Sequence, residues 1–137
     1  MIEIELPGMG EQRRRVYERE AARACDALKA NLAAPVIKTD TAIDICEYGA
    51  EHLLTQDNGW KPPAPQLITS LFRQFQAHFP EYDTDEKLAR LLGMGRSRAI
   101  RSFKNGETPV PYGIWRRFLI LTGRASQEII PVLGFFP

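Results

Sequence analysis

The stretch from Asp83 to Gly106, D-T-D-E-K-L-A-R-L-L-G-M-G-R-S-R-A-I-R-S-F-K-N-G, limits the fold more than any other part of the chain. Asp83 followed three residues later by Glu86 makes a capping-box-like start, and acidic residues in a first turn favour the positive end of a helix. Leu88, Ala89, Leu91 and Leu92 supply one buried side, which predicts a short helix ending at Gly93. A glycine there takes the left-handed backbone that reverses the chain, and Met94 is placed to plug the gap behind it. A second short helix is expected from about Arg96 to Lys104, with Ile100 and Phe103 three apart on its inner side and Asn105-Gly106 ending it. Two short helices joined by so tight a turn have to pack on each other and on a third element.

That third element lies just upstream. From about Pro65 to His78 the residues Leu67, Leu71, Phe75 and Phe79 recur every four positions, with Ile68 and Phe72 beside them, a stripe wide enough for a core helix. Downstream, Pro109 and Pro111 set a rigid entry to another helix in which Ile114, Trp115, Phe118, Leu119 and Leu121 are expected in the core, with Gly123 as the cap.

The first half reads differently. Ile2, Ile4 and Leu6 alternate with Glu3 and Glu5, the period of a short strand, and Pro7-Gly8 ends it. A helix is expected from Glu11 to Leu32 with a stripe of Val16, Ala21, Ala24, Leu28 and Leu32, and a second from the Thr39-Asp40-Thr41 caps with Ile43, Cys46, Ala50, Leu53 and Leu54. Pairing of the two would make a helical hairpin. Asn58 to Gln66, with three prolines and a glycine, reads as an extended connector. The expected fold class is therefore all-α, with a possible short N-terminal strand: an acidic helical region over 1–57, a Pro-rich connector over 58–65, and a helix-turn-helix domain over 66–137.

Charge divides at the same place. Residues 1–65 carry 8 basic and 11 acidic side chains, a net of −3, whereas residues 66–137 carry 10 and 6, a net of +4. If Ile100 and Phe103 face inward, Ser97, Arg98, Arg101 and Lys104 must lie elsewhere on the helix circumference. Arg96, Arg98, Arg101, Lys104, Arg116 and Arg117 face only Glu107 between Gly93 and Arg117, a net of +5. A charge cluster of this kind usually means a solvated face, but one-signed charge on the second helix of such a pair is the footprint of nucleic-acid binding. Arginine bonds guanine edges bidentately in the major groove, and Arg98 and Arg101 are the expected base readers.

The remaining residues exclude other classes. Cys25 and Cys46 lack metal-site spacing with His52 and His78, and are expected as small buried thiols. No glycine-rich phosphate loop, nucleophile elbow or carboxylate–histidine cluster is present, so neither enzymatic activity nor a cofactor is expected. The acidic opening is unlike a signal peptide and no apolar run would span a bilayer, so a cytoplasmic protein is expected. Arg13 to Arg15 are flanked by Glu11, Glu18 and Glu20 and read as a mixed-charge helix face. Trp115 reads as core, and Trp60, beside Pro62 and Pro63, as a staple between the halves or a partner contact.

L-A-R-L-L-G-M followed by I-R-S-F-K-N-G resembles the helix-turn-helix of Cro and phage-repressor-type (XRE-like) regulators. In that pattern a small residue stands four before the turn glycine, as Ala89 does before Gly93. An aliphatic and an aromatic residue stand three apart on the recognition helix ahead of a glycine, as do Ile100, Phe103 and Gly106. The segment from Glu107 to Gly123 is similar to one that follows such motifs in regulators from mobile elements. The resemblance covers about residues 66–124. One departure is that Gly93 to Ile100 spans seven positions where the family has six, so the turn is expected to be longer and the choice of base-reading arginine stays open. The resemblance implies a repressor-like DNA-binding regulator of phage or mobile-element type, acting as a homodimer on double-stranded DNA. Its contacts would come from Arg96, Ser97, Arg98, Arg101, Ser102 and Lys104, with Tyr112, Arg116 and Arg117 on phosphates, and the N-terminal region would serve dimerisation. The alternative is a protein-binding, antitoxin-like inhibitor that uses the fold as a scaffold and its acidic N-terminal half to engage a partner.

Overall fold

A computed structural model describes residues 8–39 and 43–137, apart from the side chain of Cys46. The chain is all-helical over these residues, with five α-helices and no strand. The strand expected at residues 2–6 lies outside them. No helix among the described residues is long and apolar enough to cross a membrane.

The residues fall into two compact units: 8–39 with 127–137, and 43–126. This division differs from the boundary expected at the Pro-rich connector. The connector and the stretch before it belong with the helix-turn-helix, and the last eleven residues group with the first helix.

In the larger unit, α2 (Pro65–His78) begins with proline at its first turn, where the missing N–H costs nothing, and buries Leu67, Ile68, Leu71, Phe72 and Phe75. The short helices α3 (Asp85–Leu91) and α4 (Ser97–Asn105) pack on each other, and α4 also packs on α2. Helix α5 (Tyr112–Leu121) enters after Pro111 and buries Trp115, Phe118 and Leu119. The aromatic rings interlock: Phe72 and Phe118 meet edge to face at 4.8 Å, and Trp115 lies 5.3 Å from Phe118. Large side chains fully removed from water contribute about 1.5–3 kcal/mol each, so this cluster dominates the unit's stability. Leu121, expected in the core, is instead exposed, because helical periodicity turns it away from the face that Trp115, Phe118 and Leu119 share.

The helix expected from residues 39–41 to Leu54 is not formed over the described residues, and its expected caps Asp40 and Thr41 lie outside them. Its described part contains two 3₁₀ turns, Ile45–Tyr48 and Glu51–Leu53, separated by Gly49 at φ 85°. A left-handed residue between two runs this short prevents a continuous helix. Ile43, Ile45 and Leu53 pack individually against the core of the larger unit, so no helical hairpin exists among the described residues.

In the smaller unit, α1 (Met9–Ala30) covers the expected span and continues as a 3₁₀ turn, Asn31–Ala33. It contains no buried residue. Val16, Leu28 and Leu32, expected to be covered by the missing hairpin partner, are exposed, and so is Cys25, expected to be buried. The Cys46 thiol lies outside the described atoms. Phe135 touches α1, with its ring 5.1 Å from Tyr17 and beneath the Arg14 guanidinium.

Candidate nucleic-acid interface

Thr84 begins α3: its hydroxyl accepts from the Lys87 amide at 3.2 Å. The cap thus lies one residue after the expected Asp83, which instead pairs with Lys87 at 3.2 Å, while Glu86 pairs with Arg90 at 2.6 Å. At the other end of α3 the Met94 amide donates to the Ala89 carbonyl (2.8 Å) and the Gly93 amide to Arg90 (3.1 Å). These two bonds form a Schellman closure, with Gly93 at φ 83° in the left-handed position. Met94 packs against the core as the sequence predicts. Five residues, Leu92 to Arg96, therefore connect the helices, and the turn redirects the chain without opening the core.

Helix α4 is fixed from within by Ile100 and Phe103, 0% and 4% exposed. Its C-terminus is fixed by Gly106 at φ 81°, where a Cβ would come within 3.2 Å of the Pro65 ring. These anchors determine the outward side. Arg98 and Arg101 are exposed, three residues apart, with exposed Asn105 four residues further on the same face. Arg96, at the N-cap, is also exposed, and no side chain caps the first amides of α4. Ser97 and Ser102 are half-buried at the flanks.

Arg117 is exposed on α5, and its guanidinium lies 3.9 Å from the position a Cβ on Gly93 would take. It therefore stands beside the turn that leads into α4. Among the described residues no carboxylate pairs with Arg96, Arg98, Arg101 or Arg117, in contrast to Arg90 and Lys87 on α3. The structure thus places Arg117 of α5 beside the turn that leads to Arg96, Arg98 and Arg101, which the sequence puts in a separate segment.

Three of the residues expected at the contact have partners within the fold. The Lys104 ammonium donates to Asp85 at 2.9 Å in a partly buried pair that ties the end of α4 to the first turn of α3. Arg116 donates to the Leu53 carbonyl at 3.3 Å and the Ser126 carbonyl at 3.4 Å, fastening the 3₁₀ segment to α5. Tyr112 is half-buried, with its ring edge to face with Trp60 at 5.2 Å. Trp60 in turn donates to the His52 carbonyl at 3.1 Å, so it staples residues 43–61 to α5 within one unit.

Sequence reasoning missed the partners of these groups. His52 is buried and its Nδ1 accepts from the Trp115 indole N–H at 3.2 Å. Burial, and then the charge of Arg124, hold its pKa below the ordinary 6.5. Arg124 itself is bound to Gln74 at 3.2 Å. All of these pairs join residues far apart in sequence, and no local periodicity marks them.

No protein-family model, curated protein or solved structure matches the chain, so its reading rests on this geometry and on the sequence pattern.

Proposed function

We propose that the protein is a sequence-specific regulator of double-stranded DNA that lays α4 in the major groove. One observation carries the reading: burial of Ile100 and Phe103 leaves Arg98 and Arg101 exposed on a common face, with no carboxylate partner among the described residues. Guanidinium forks held this way match the acceptor pair on guanine edges. Arg96 and Arg117, near the start of α4, stand where phosphates pass, and the uncapped amides of that first turn favour an anion. Lys104, Arg116 and Tyr112 belong to the support of the helix rather than to the contact set. The resemblance to repressor-type regulators extends the reading to a repressor-like role in a phage or mobile element. A single module spans few base pairs, so binding of two copies to a palindromic site accompanies it.

Titration with random-sequence duplex DNA at two salt concentrations tests this. Affinity is expected to fall steeply as salt rises, and an Arg98→Ala, Arg101→Ala variant should lose sequence preference at about 1–3 kcal/mol per removed contact. Absence of binding to any duplex at low salt overturns the reading and leaves a protein-binding scaffold as the alternative. Selection of bound sequences from a random pool then gives the site.

A further inference from the structure

Of the sixteen large apolar side chains exposed among the described residues, thirteen lie in the smaller unit and three in the larger one. They come from both of its segments. On α1, Tyr17, Ala21, Ala24 and Leu28 follow the spacing of a two-helix seam, and all are exposed. In the last eleven residues Ile129, Ile130, Leu133 and Phe136 are 79–98% exposed. Phe135, in contact with Tyr17 and beneath Arg14, sets the two segments side by side.

We infer that this composite face of α1 and residues 129–136 is the surface through which two copies of the chain associate. A full large side chain presents roughly 150–200 Å². At the observed exposures the face offers on the order of 1,000 Å², above the few hundred Å² an isolated protein usually leaves contiguous and comparable with the ~800 Å² per partner of a stable interface. Charge points to a second copy rather than to a partner of one sign. Helix α1 carries six basic and four acidic side chains, and Glu11–Arg15 and Glu20–Arg23 are already paired along it. Two identical faces meet without strong like-charge repulsion, and neither calls for an oppositely charged partner. A helix of 22 residues whose side chains are all left unburied gains little of the packing that normally holds a helix in water, and a symmetric partner supplies more of it. The inference rests on the smaller unit alone, so it stands or falls separately from the reading of α4.

Sedimentation equilibrium of the full chain at tens of micromolar should give twice the 15.5 kDa chain mass. A Leu28→Glu, Leu133→Glu variant should be monomeric there, with its dissociation constant raised at least about 100-fold. It should also lose helical ellipticity from α1 while the main thermal transition of the larger unit is retained. A Leu121→Glu control, also at an exposed apolar position but in the other unit, should remain dimeric. A monomeric parent protein, assembly of undefined size, or a double variant as dimeric as the parent would each overturn the inference.

Discussion

Residues 43–126 and the pair of segments 8–39 and 127–137 use similar side chains to opposite ends. In the first, apolar residues from α2, α3, α4 and α5 converge, and eleven large side chains are almost wholly removed from water. In the second, a helix with a comparable stripe is touched by Phe135 and buries none of its side chains. The difference shows that an apolar stripe specifies a face, not its partner. Burial follows only where other elements arrive from several directions, as the compact turns around Gly93 and Gly106 ensure in the larger unit. The charges differ as well: several cations of the larger unit, such as Lys104 and Arg116, are bonded within it while Arg98 and Arg101 are presented on one face, whereas those of α1 are mixed with carboxylates along its length.

The largest expected effect probes the contrast directly. Trp115→Ala removes the ring at the centre of the larger core and the donor to His52, and should lower stability by about 3–5 kcal/mol in urea denaturation. Leu28→Ala, measured at a dilution where copies are apart, should change it by less than about 0.5 kcal/mol. Equal losses would mean that α1 has a core of its own.

An intermediate effect separates two adjacent arginines. Arg117→Ala should leave stability unchanged and reduce the slope of log affinity for duplex DNA against log salt by about 0.9, the contribution of one phosphate contact. Arg116→Ala should do the opposite. It strands the carbonyls of Leu53 and Ser126, costing about 1–3 kcal/mol of stability with little change in the salt slope. If both variants behave alike, the division between supporting and presented cations is wrong.

This division also marks what could be read from the sequence. The helices α2, α3, α4 and α5 were legible because each carries its own stripe and its own stop; Gly93 holds the left-handed position expected of it, and Gly106 ends α4 where expected. The outward arginines of α4 followed from its inward residues. The contacts of Lys104, Arg116 and Tyr112 within the fold could not be read for a common reason: their partners Asp85, Leu53 and Trp60 lie 19, 63 and 52 residues away, beyond any periodic signal. The stretch after residue 39 misled in another way. Its apolar residues have helical spacing, but Gly49 interrupts them, and Ile43, Ile45 and Leu53 pack one by one on a core formed by later residues.

The smallest expected effect is a pH dependence that only the larger unit should show. His52 accepts the Trp115 N–H at Nδ1, so the neutral ring carries its proton on Nε2. Protonating Nδ1 would set two donors against each other. The charged groups around the ring offer no compensation: Arg124 disfavours a second positive charge, Arg116 is turned to the Leu53 carbonyl, and Glu51 pairs with Lys61 at 3.8 Å. The folded-state pKa therefore lies below 6.5. As pH falls through about 6.5, the unfolded chain takes up a proton that the folded chain refuses, so stability declines until the folded-state pKa is reached; above about 7 the contribution is flat. Urea denaturation between about pH 5 and pH 8 should show this decline in the parent protein and a shallower one in His52→Gln, whose side chain does not titrate in that range. Identical pH profiles for the two proteins would mean that His52 keeps its ordinary pKa and that its contact with Trp115 does not depend on the neutral ring.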